Sequence, residues 1–246
     1  FVGELYIIAS SEDKNYSYIP KNIVAGSDYD FLHITSNNTI SGTQYKDFPT
    51  SDTPLVCDMS SDIFSRKINV AEFDIIYAGA QKNMGPAGTA VYIVKESILG
   101  NSSIPIPTML DLNTHYSKDS MFNTPPVFAI YASMLNLRWL KKNGGVGHIQ
   151  NVNEKKATLL YNEIDNNPLF EGTTAIEDRS TMNATFLLKE AALTDTFNKM
   201  WQEANISGIK GHRSVGGYRA SMYNALPIES VMELVNVMKE LTEKHG

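Results

Sequence analysis

Residues 73–99 read FDIIYAGAQKNMGPAGTAVYIVKESIL, and the rest of the chain is organised around them. One apolar run, residues 73–78, enters a glycine-rich turn, and a second, residues 89–94, leaves it. Both runs are rich in β-branched and aromatic residues, which predicts two strands joined by a tight loop. Lys82 lies inside that loop with Gly79, Gly85 and Gly88 around it. Most lysines stay on solvated surfaces, because desolvating an ammonium is costly. A lysine held among small residues between two buried strands would have a depressed pKa and could attack a carbonyl, as a Schiff-base lysine must. The plain alternative is a surface lysine in a hairpin loop.

The 246 residues are enough for one large domain, or one plus a small one. An apolar content of 42% and a charged content of 20% are ordinary for a globular chain. A net charge of −6 argues against non-specific nucleic-acid binding, which needs a basic face. The single cysteine, Cys57, excludes an internal disulfide and a cysteine-built zinc site, and fits a reducing, cytoplasmic setting. The five histidines show no metal-ligand spacing, so no metal is expected. No apolar run approaches the ~20 residues that span a bilayer, so no membrane partner is expected either. The opening FVGELYIIAS has no basic leader, and residues 5–9 read as a strand already inside a sheet, which suggests that an N-terminal portion precedes them.

Pro20 makes residues 10–22 a non-helical polar stretch. Residues 29–35 then read as a strand ending in a turn at 36–42 that is rich in Asn, Thr and Ser, where the Thr39 hydroxyl would by itself be a turn-stabilising group. Residues 54–57 form a short buried strand with Asp58 at its carboxyl end. Ligands of open α/β sheets bind outside those ends, and a carboxylate there can accept a hydrogen bond from a protonated ring nitrogen. Equally, Asp58 could cap residues 60–65.

Residues 100–126 are irregular. A helix follows, with Thr124 as its N-cap, Pro125 in the first turn and Gly144–Gly145 as its stop. Phe128, Tyr131, Ala132, Leu135 and Trp139 recur at helical spacing and predict its buried face. A second amphipathic helix spans 146–166. From about residue 170 the pattern changes to an α+β unit: a strand at 184–188, a helix at 194–204, strands at 208–211 and 218–223, and a last helix at 228–244. In GHRSVGGYRAS (211–221), His212, Arg213 and Arg219 flank a Gly-Gly turn. Arginine's planar fork suits an anionic substrate, although surface ion pairs are the common use of such residues.

The segments NNTISG (37–42), VCDMSS (56–61), YAGAQKNMGPAG (77–88), SMFNTPP (120–126) and KGHRSVGGYRASMYNA (210–225) together resemble the fold-type I enzymes dependent on pyridoxal phosphate. More narrowly, they resemble the phosphoserine aminotransferases, in content, order and separation, over residues 8–245. The resemblance implies an α/β large domain over 1–144, with a mainly parallel central sheet flanked by helices. It implies a small C-terminal α+β domain over 145–246, with the helix at 145–167 as the connection. Lys82 matches the family lysine that carries pyridoxal 5'-phosphate and shuttles the proton. Asp58 matches the carboxylate paired with the pyridinium nitrogen, which makes the ring an electron sink. Thr39 matches the hydroxyl near the phenolic oxygen, and Gln81 a neighbouring cofactor contact. Asn123 and Thr124 match a pair reaching the phosphate bound by the other subunit of a homodimer, at a helix start that favours an anion. Arg219 matches the residue holding the substrate α-carboxylate, with His212 and Arg213 near the substrate phosphate or distal carboxylate.

The implied reaction exchanges the amino group of glutamate with a phosphorylated 2-oxo acid, 3-phosphohydroxypyruvate, in serine biosynthesis. A four-carbon analogue used in vitamin B6 synthesis would fit the same cations. The family's further N-terminal segment, which supplies a phosphate-binding turn, a stacking aromatic and a His-Arg substrate pair, has no counterpart in this sequence, and the chain alone is expected to be inactive or very weak. The rival readings are another class V transaminase, such as an alanine–glyoxylate type, a cysteine desulfurase, or an inactive chain acting only as a binding or dimerisation partner. A desulfurase would need a mobile cysteine, which Cys57 in a buried strand beside Asp58 does not offer.

Overall fold

The computed structural model describes residues 3–213 and 215–246. Its first half is built on six strands: β1 (Leu32–Thr35), β2 (Asn37–Asn38), β3 (Thr43–Gln44), β4 (Leu55–Asp58), β5 (Ile75–Gly79) and β6 (Ala90–Val94). Four of them form a sheet in the order β1-β4-β5-β6, with β1, β4 and β5 parallel and β6 antiparallel to β5. β2 and β3 are a separate antiparallel pair. Side chains alternate between the faces of a strand, so Leu32, Ile34, Leu55, Cys57, Ile76 and Ala78 all point to one buried face. Asp58 and Tyr77, which pair in register, point to the other.

Three expectations change here. The strand expected at 29–35 is confined to β1, and residues 5–9 form none. Leu5 is 89% and Ile7 78% exposed, and no strand among the described residues lies alongside to complete a ladder. The two strands about Lys82 form, starting at Ile75 and Ala90, but they are not both buried: no residue of β6 is buried, and Tyr92 is 53% exposed, because β6 is the edge strand of its sheet.

Three helices follow: α1 (Leu112–Tyr116), α2 (Val127–Lys142) and α3 (Gly145–Asn166). Thr124 is not the N-cap of α2; Pro126 is. A residue before proline is disfavoured in the α region, so the two successive prolines delay the helix, which starts at Val127. The predicted buried face is also turned round. Phe128, Tyr131, Leu135 and Trp139 are exposed, whereas Ala129 and Leu140 are buried and Ser133 and Asn136 are half-buried or turned onto the chain. On the face that packs, Ala129, Ser133 and Asn136 are small or polar where they meet the glycine-rich loop, and Leu140 is buried beyond them.

The second half contains β7 (Phe170–Gly172), β8 (Asn183–Leu188), α4 (Thr194–Glu203), β9 (Tyr218–Ser221) and α5 (Ile228–His245). The strands form an antiparallel sheet in the order β7-β8-β9. Phe170, Phe186 and Tyr218 of the sheet and Phe197 of α4 stack edge and face, within an apolar cluster that also takes in α3 and α5 and is separate from that of the first sheet. Residues 208–211 contribute only a bridge between Lys210 and Tyr218, not a strand. There the chain doubles back so tightly that a Cβ on Gly211 would stand 1.9 Å from the Gly216 carbonyl oxygen.

Candidate active site

Lys82 lies in the loop between β5 and β6. The loop is a compact knot: Ala80 N–H donates to Thr89 O at 3.0 Å, and the Met84 and Gly85 amides both donate to Ala80 O, at 3.0 and 2.8 Å. Lys82 is half-buried and its Nζ donates to Thr39 Oγ1 at 2.9 Å. Two residues 43 apart in sequence are thus joined at one point.

Thr39 is held by the hairpin between β2 and β3. Asn38 Oδ1 accepts from the Ile40 and Ser41 amides at 2.9 and 3.1 Å, an Asx turn that fixes the tip. The hairpin rests on β8: Ser41 O accepts from Thr174 Oγ1 at 2.7 Å and from Thr185 Oγ1 at 3.1 Å. Gly42 has a φ of +71°, and a Cβ there would meet Thr185 Oγ1 at 2.7 Å and Asn183 O at 2.9 Å, so only glycine fits.

Asp58 ends β4, beside β5, at the edge where the parallel strands deliver their carboxyl ends and where β5 enters the Lys82 loop. Its Oδ1 accepts from Ser60 N–H at 2.8 Å, so the capping contact is real, and Ser60 Oγ in turn accepts from Gly79 N–H at 3.1 Å. Tyr77, opposite Asp58 in register, has its phenol pushed above the ordinary tyrosine value by burial and then by the negative charge of Asp58. The Tyr77 hydroxyl is 3.0 Å from His33 Nε2. Both residues were missed by the motif reading; the register of β5 against Asp58 is the signal that points to Tyr77.

α2 braces the lysine loop from beneath. Asn136 Nδ2 donates to Asn83 O and Met84 O at 3.0 and 2.9 Å. Ser133 lies against Gly85, and Ala129 Cβ lies 3.7 Å from where a Cβ would stand on Gly88.

Arg219, on β9, pairs with Thr185 on β8, the residue that anchors the Thr39 hairpin. The two strands therefore present Arg219 on the face turned to that hairpin. Arg219 Nε is buried without a hydrogen-bond partner. His212 and Arg213 occupy the exposed turn before β9; Ser214 lies outside the described residues. Gln81 is exposed, its amide folded back over Gly79. Asn123 and Thr124 are exposed on the approach to α2, with Asn123 Nδ2 donating to Thr124 O at 3.1 Å. The chain thus gathers Lys82, Thr39, Asp58 and, across β8, Arg219. It places Asn123 and Thr124 apart, on an outward surface.

A seam of buried amides joins the two sheets and was not legible as a motif. Asn37 Nδ2 donates to Ser61 Oγ at 2.9 Å and to Asn183 Oδ1 at 2.8 Å, and Asn83 Oδ1 accepts from Asn224 N–H at 3.1 Å. Cys57 is fully buried and its thiol is pushed up to about 12, chiefly by burial. Among the described residues no three His, Cys, Asp or Glu groups are placed to share a metal ion, and no helix is long and apolar enough to cross a membrane.

The family description matching this chain is aminotransferase class-V, over residues 7–234. A phosphoserine aminotransferase of Flavobacterium psychrophilum is 62% identical over 242 residues, covering 98% of this chain and 68% of that protein. One from Bacillus subtilis is 50% identical over 245 residues, covering 99% and 68%. The solved phosphoserine aminotransferase from Bacillus circulans subsp. alkalophilus superposes with a TM-score of 0.95 at 43% identity, covering 100% of this chain and 69% of that one. The expected architecture, a mainly parallel sheet with helices followed by an α+β unit, is the architecture of that structure.

Proposed function

The chain belongs to the aminotransferase class-V family, and from that premise we propose that it carries the pyridoxal 5'-phosphate chemistry of a phosphoserine aminotransferase, moving an amino group between L-glutamate and 3-phosphohydroxypyruvate. The observation that carries the reading is the Lys82–Thr39 contact at the carboxyl edge of the sheet, beside Asp58. The residues fit the cofactor. Lys82 would supply the amine that holds it, with Asp58 as the carboxylate for its ring nitrogen and Thr39 as the hydroxyl for its phenolic oxygen. When bound, the cofactor supplies the electron sink for the carbanion formed at the substrate α-carbon. The Lys82 amine, once released from the cofactor by the incoming substrate amine, would be the base that holds and returns the proton at that carbon. Gln81, next to it, borders the same edge.

The unpartnered Arg219 Nε supports its reading as the clamp for the substrate α-carboxylate, because a buried donor left alone is costly until an acceptor arrives. His212 and Arg213, on the exposed turn, suit the substrate phosphate. The four-carbon phosphorylated substrate of vitamin B6 synthesis satisfies the same cations. Against a cysteine desulfurase stands Cys57, fully buried with its thiol near 12. The separate apolar clusters support a large domain ending at 144 and a small one over 145–246, connected by α3.

The exposed Phe128, Tyr131, Leu135 and Trp139 on α2 support a homodimer with shared sites, since Asn123 and Thr124 precede that face and would reach the phosphate in the other subunit. A cytoplasmic location agrees with this chemistry. The test is borohydride reduction after adding pyridoxal phosphate, followed by peptide mapping and a glutamate-dependent assay with 3-phosphohydroxypyruvate. A reduced adduct on Lys82 with turnover of the phosphorylated acid supports the reading; label scattered over surface lysines overturns it.

A further inference from the structure

We infer that Asn83, the residue after Lys82, is a positioning residue that locks the lysine loop to the unit carrying Arg219, and so sets the spacing between the reactive amine and the carboxylate clamp. The inference rests on the proposed role of Lys82. Asn83 is buried, and its side chain uses both ends. Nδ2 donates to Ile63 O at 3.2 Å and Ser61 O at 3.4 Å, in the segment that follows Asp58. Oδ1 accepts from Asn224 N–H at 3.1 Å, in the turn after β9 and five residues from Arg219. Its own carbonyl accepts from Asn136 on α2. One residue therefore ties together the Asp58 segment and the Arg219 segment through its side chain, and the α2 platform through its carbonyl.

The far side of the tie is itself rigid. Asn224 Oδ1 accepts from Asn153 Nδ2 at 2.9 Å, and Asn224 Nδ2 donates to Phe64 O at 3.1 Å. Lys156, fully buried on α3, donates its Nζ to Met222 O, Tyr223 O and Leu226 O at 3.0, 2.9 and 3.1 Å, closing the same turn around its charge. Amides held by several partners at once are restricted in geometry, because rotating them breaks those buried hydrogen bonds. A shift of an ångström at a reacting group costs on the order of a hundredfold in rate, so a tie with no contact to substrate still governs turnover.

The experiment compares Asn83→Ala with Asn224→Ala in the whole protein. Asn224→Ala removes a comparable buried amide, yet keeps the backbone N–H that Asn83 Oδ1 accepts from. Asn83→Ala is expected to slow formation of the reduced Lys82 adduct and to lower kcat/KM for glutamate at least roughly tenfold, with kcat falling and KM rising together. Asn224→Ala, at a similar loss of Tm, is expected to leave both nearer wild type. Equal effects of the two variants, or wild-type kcat and KM in Asn83→Ala, would overturn the inference. Hydrogen exchange on cofactor-free protein provides a readout that does not depend on the lysine chemistry. Asn83→Ala should speed exchange both in residues 80–88 and in residues 222–226, and faster exchange in only one of them rejects the tie. Failure of the wild-type protein itself to form the Lys82 adduct would count against the proposed function, while the exchange result still decides the tie.

Discussion

Ser133 on α2 lies directly over Gly85 in the lysine loop: a Cβ on Gly85 would stand 2.6 Å from Ser133 Oγ, 3.1 Å from its Cα and 3.2 Å from its amide nitrogen. The hydroxyl can rotate away, but the helix backbone cannot. Gly85→Ala must therefore push the loop off α2, disturbing the hydrogen bonds from Asn136. The expected cost is about 1–3 kcal/mol of stability, typical of overpacking. Because the displaced loop carries Lys82, adduct yield should fall as well. Thermal unfolding with adduct mapping checks this; a stable variant with full Lys82 labelling would refute it.

Asp58→Asn removes the charge proposed to pair with the cofactor's ring nitrogen while keeping the acceptor for Ser60 N–H. The strand end should stay folded, and the unfolding midpoint should move little. Turnover is expected to fall by roughly 10²–10³, the usual loss when one preorganised electrostatic partner is removed. Steady-state kinetics beside a thermal melt separates the two effects.

Lys156 predicts a pH signature of stability. Burial pushes its ammonium down to about 8 in the folded protein, against an ordinary value near 10.5. Between these values the unfolded chain holds a proton that the folded chain has released, so stability rises with pH across that window. Lys156→Met lacks the group and should lack the rise. The stability of wild type relative to Lys156→Met is therefore expected to climb by about 3 kcal/mol from pH 8 to 10.5. Urea unfolding of both proteins at several pH values measures it, and a flat difference would show that Lys156 is solvated.

How much of this was readable beforehand follows from the range over which each signal acts. β5, β6 and the Lys82 loop were legible because alternating β-branched runs and glycines are local signals. Asp58 and Thr39 were visible through their motifs, and the hairpin that brings Thr39 to Lys82 is set by neighbouring Asn and Gly residues. The face of α2 was misread because periodicity reveals an apolar stripe without saying what meets it. The stripe of rings faces outward, while Ala129, Ser133 and Asn136 fit the glycines of the loop. Residues 5–9 look like a strand by composition, yet a strand exists only with a neighbour. Asn83 and Asn224, 141 positions apart, gave no sign of each other, because an asparagine in a turn-rich stretch is by default a turn residue.

The outward stripe of α2 leads to a prediction about assembly. Phe128 is 76% and Tyr131 55% exposed, with the partly exposed Leu135 and Trp139 on the same side, an arrangement that leaves much apolar surface in solvent. A charge there should cost the folded subunit within about 0.5 kcal/mol, as at other exposed positions. Large aromatics are, however, the residues that dominate interfaces when they are buried between subunits. Tyr131→Glu is therefore expected to leave the melting of the monomer unchanged and to raise the dissociation constant of the proposed dimer at least tenfold, read by sedimentation. Because Asn123 and Thr124 of one subunit would complete the phosphate site of the other, specific activity should then depend on protein concentration and recover as the dimer reforms. A variant that stays dimeric would place the subunit contact on another face. One that dissociates yet keeps full activity would show that Asn123 and Thr124 are not needed from across the interface.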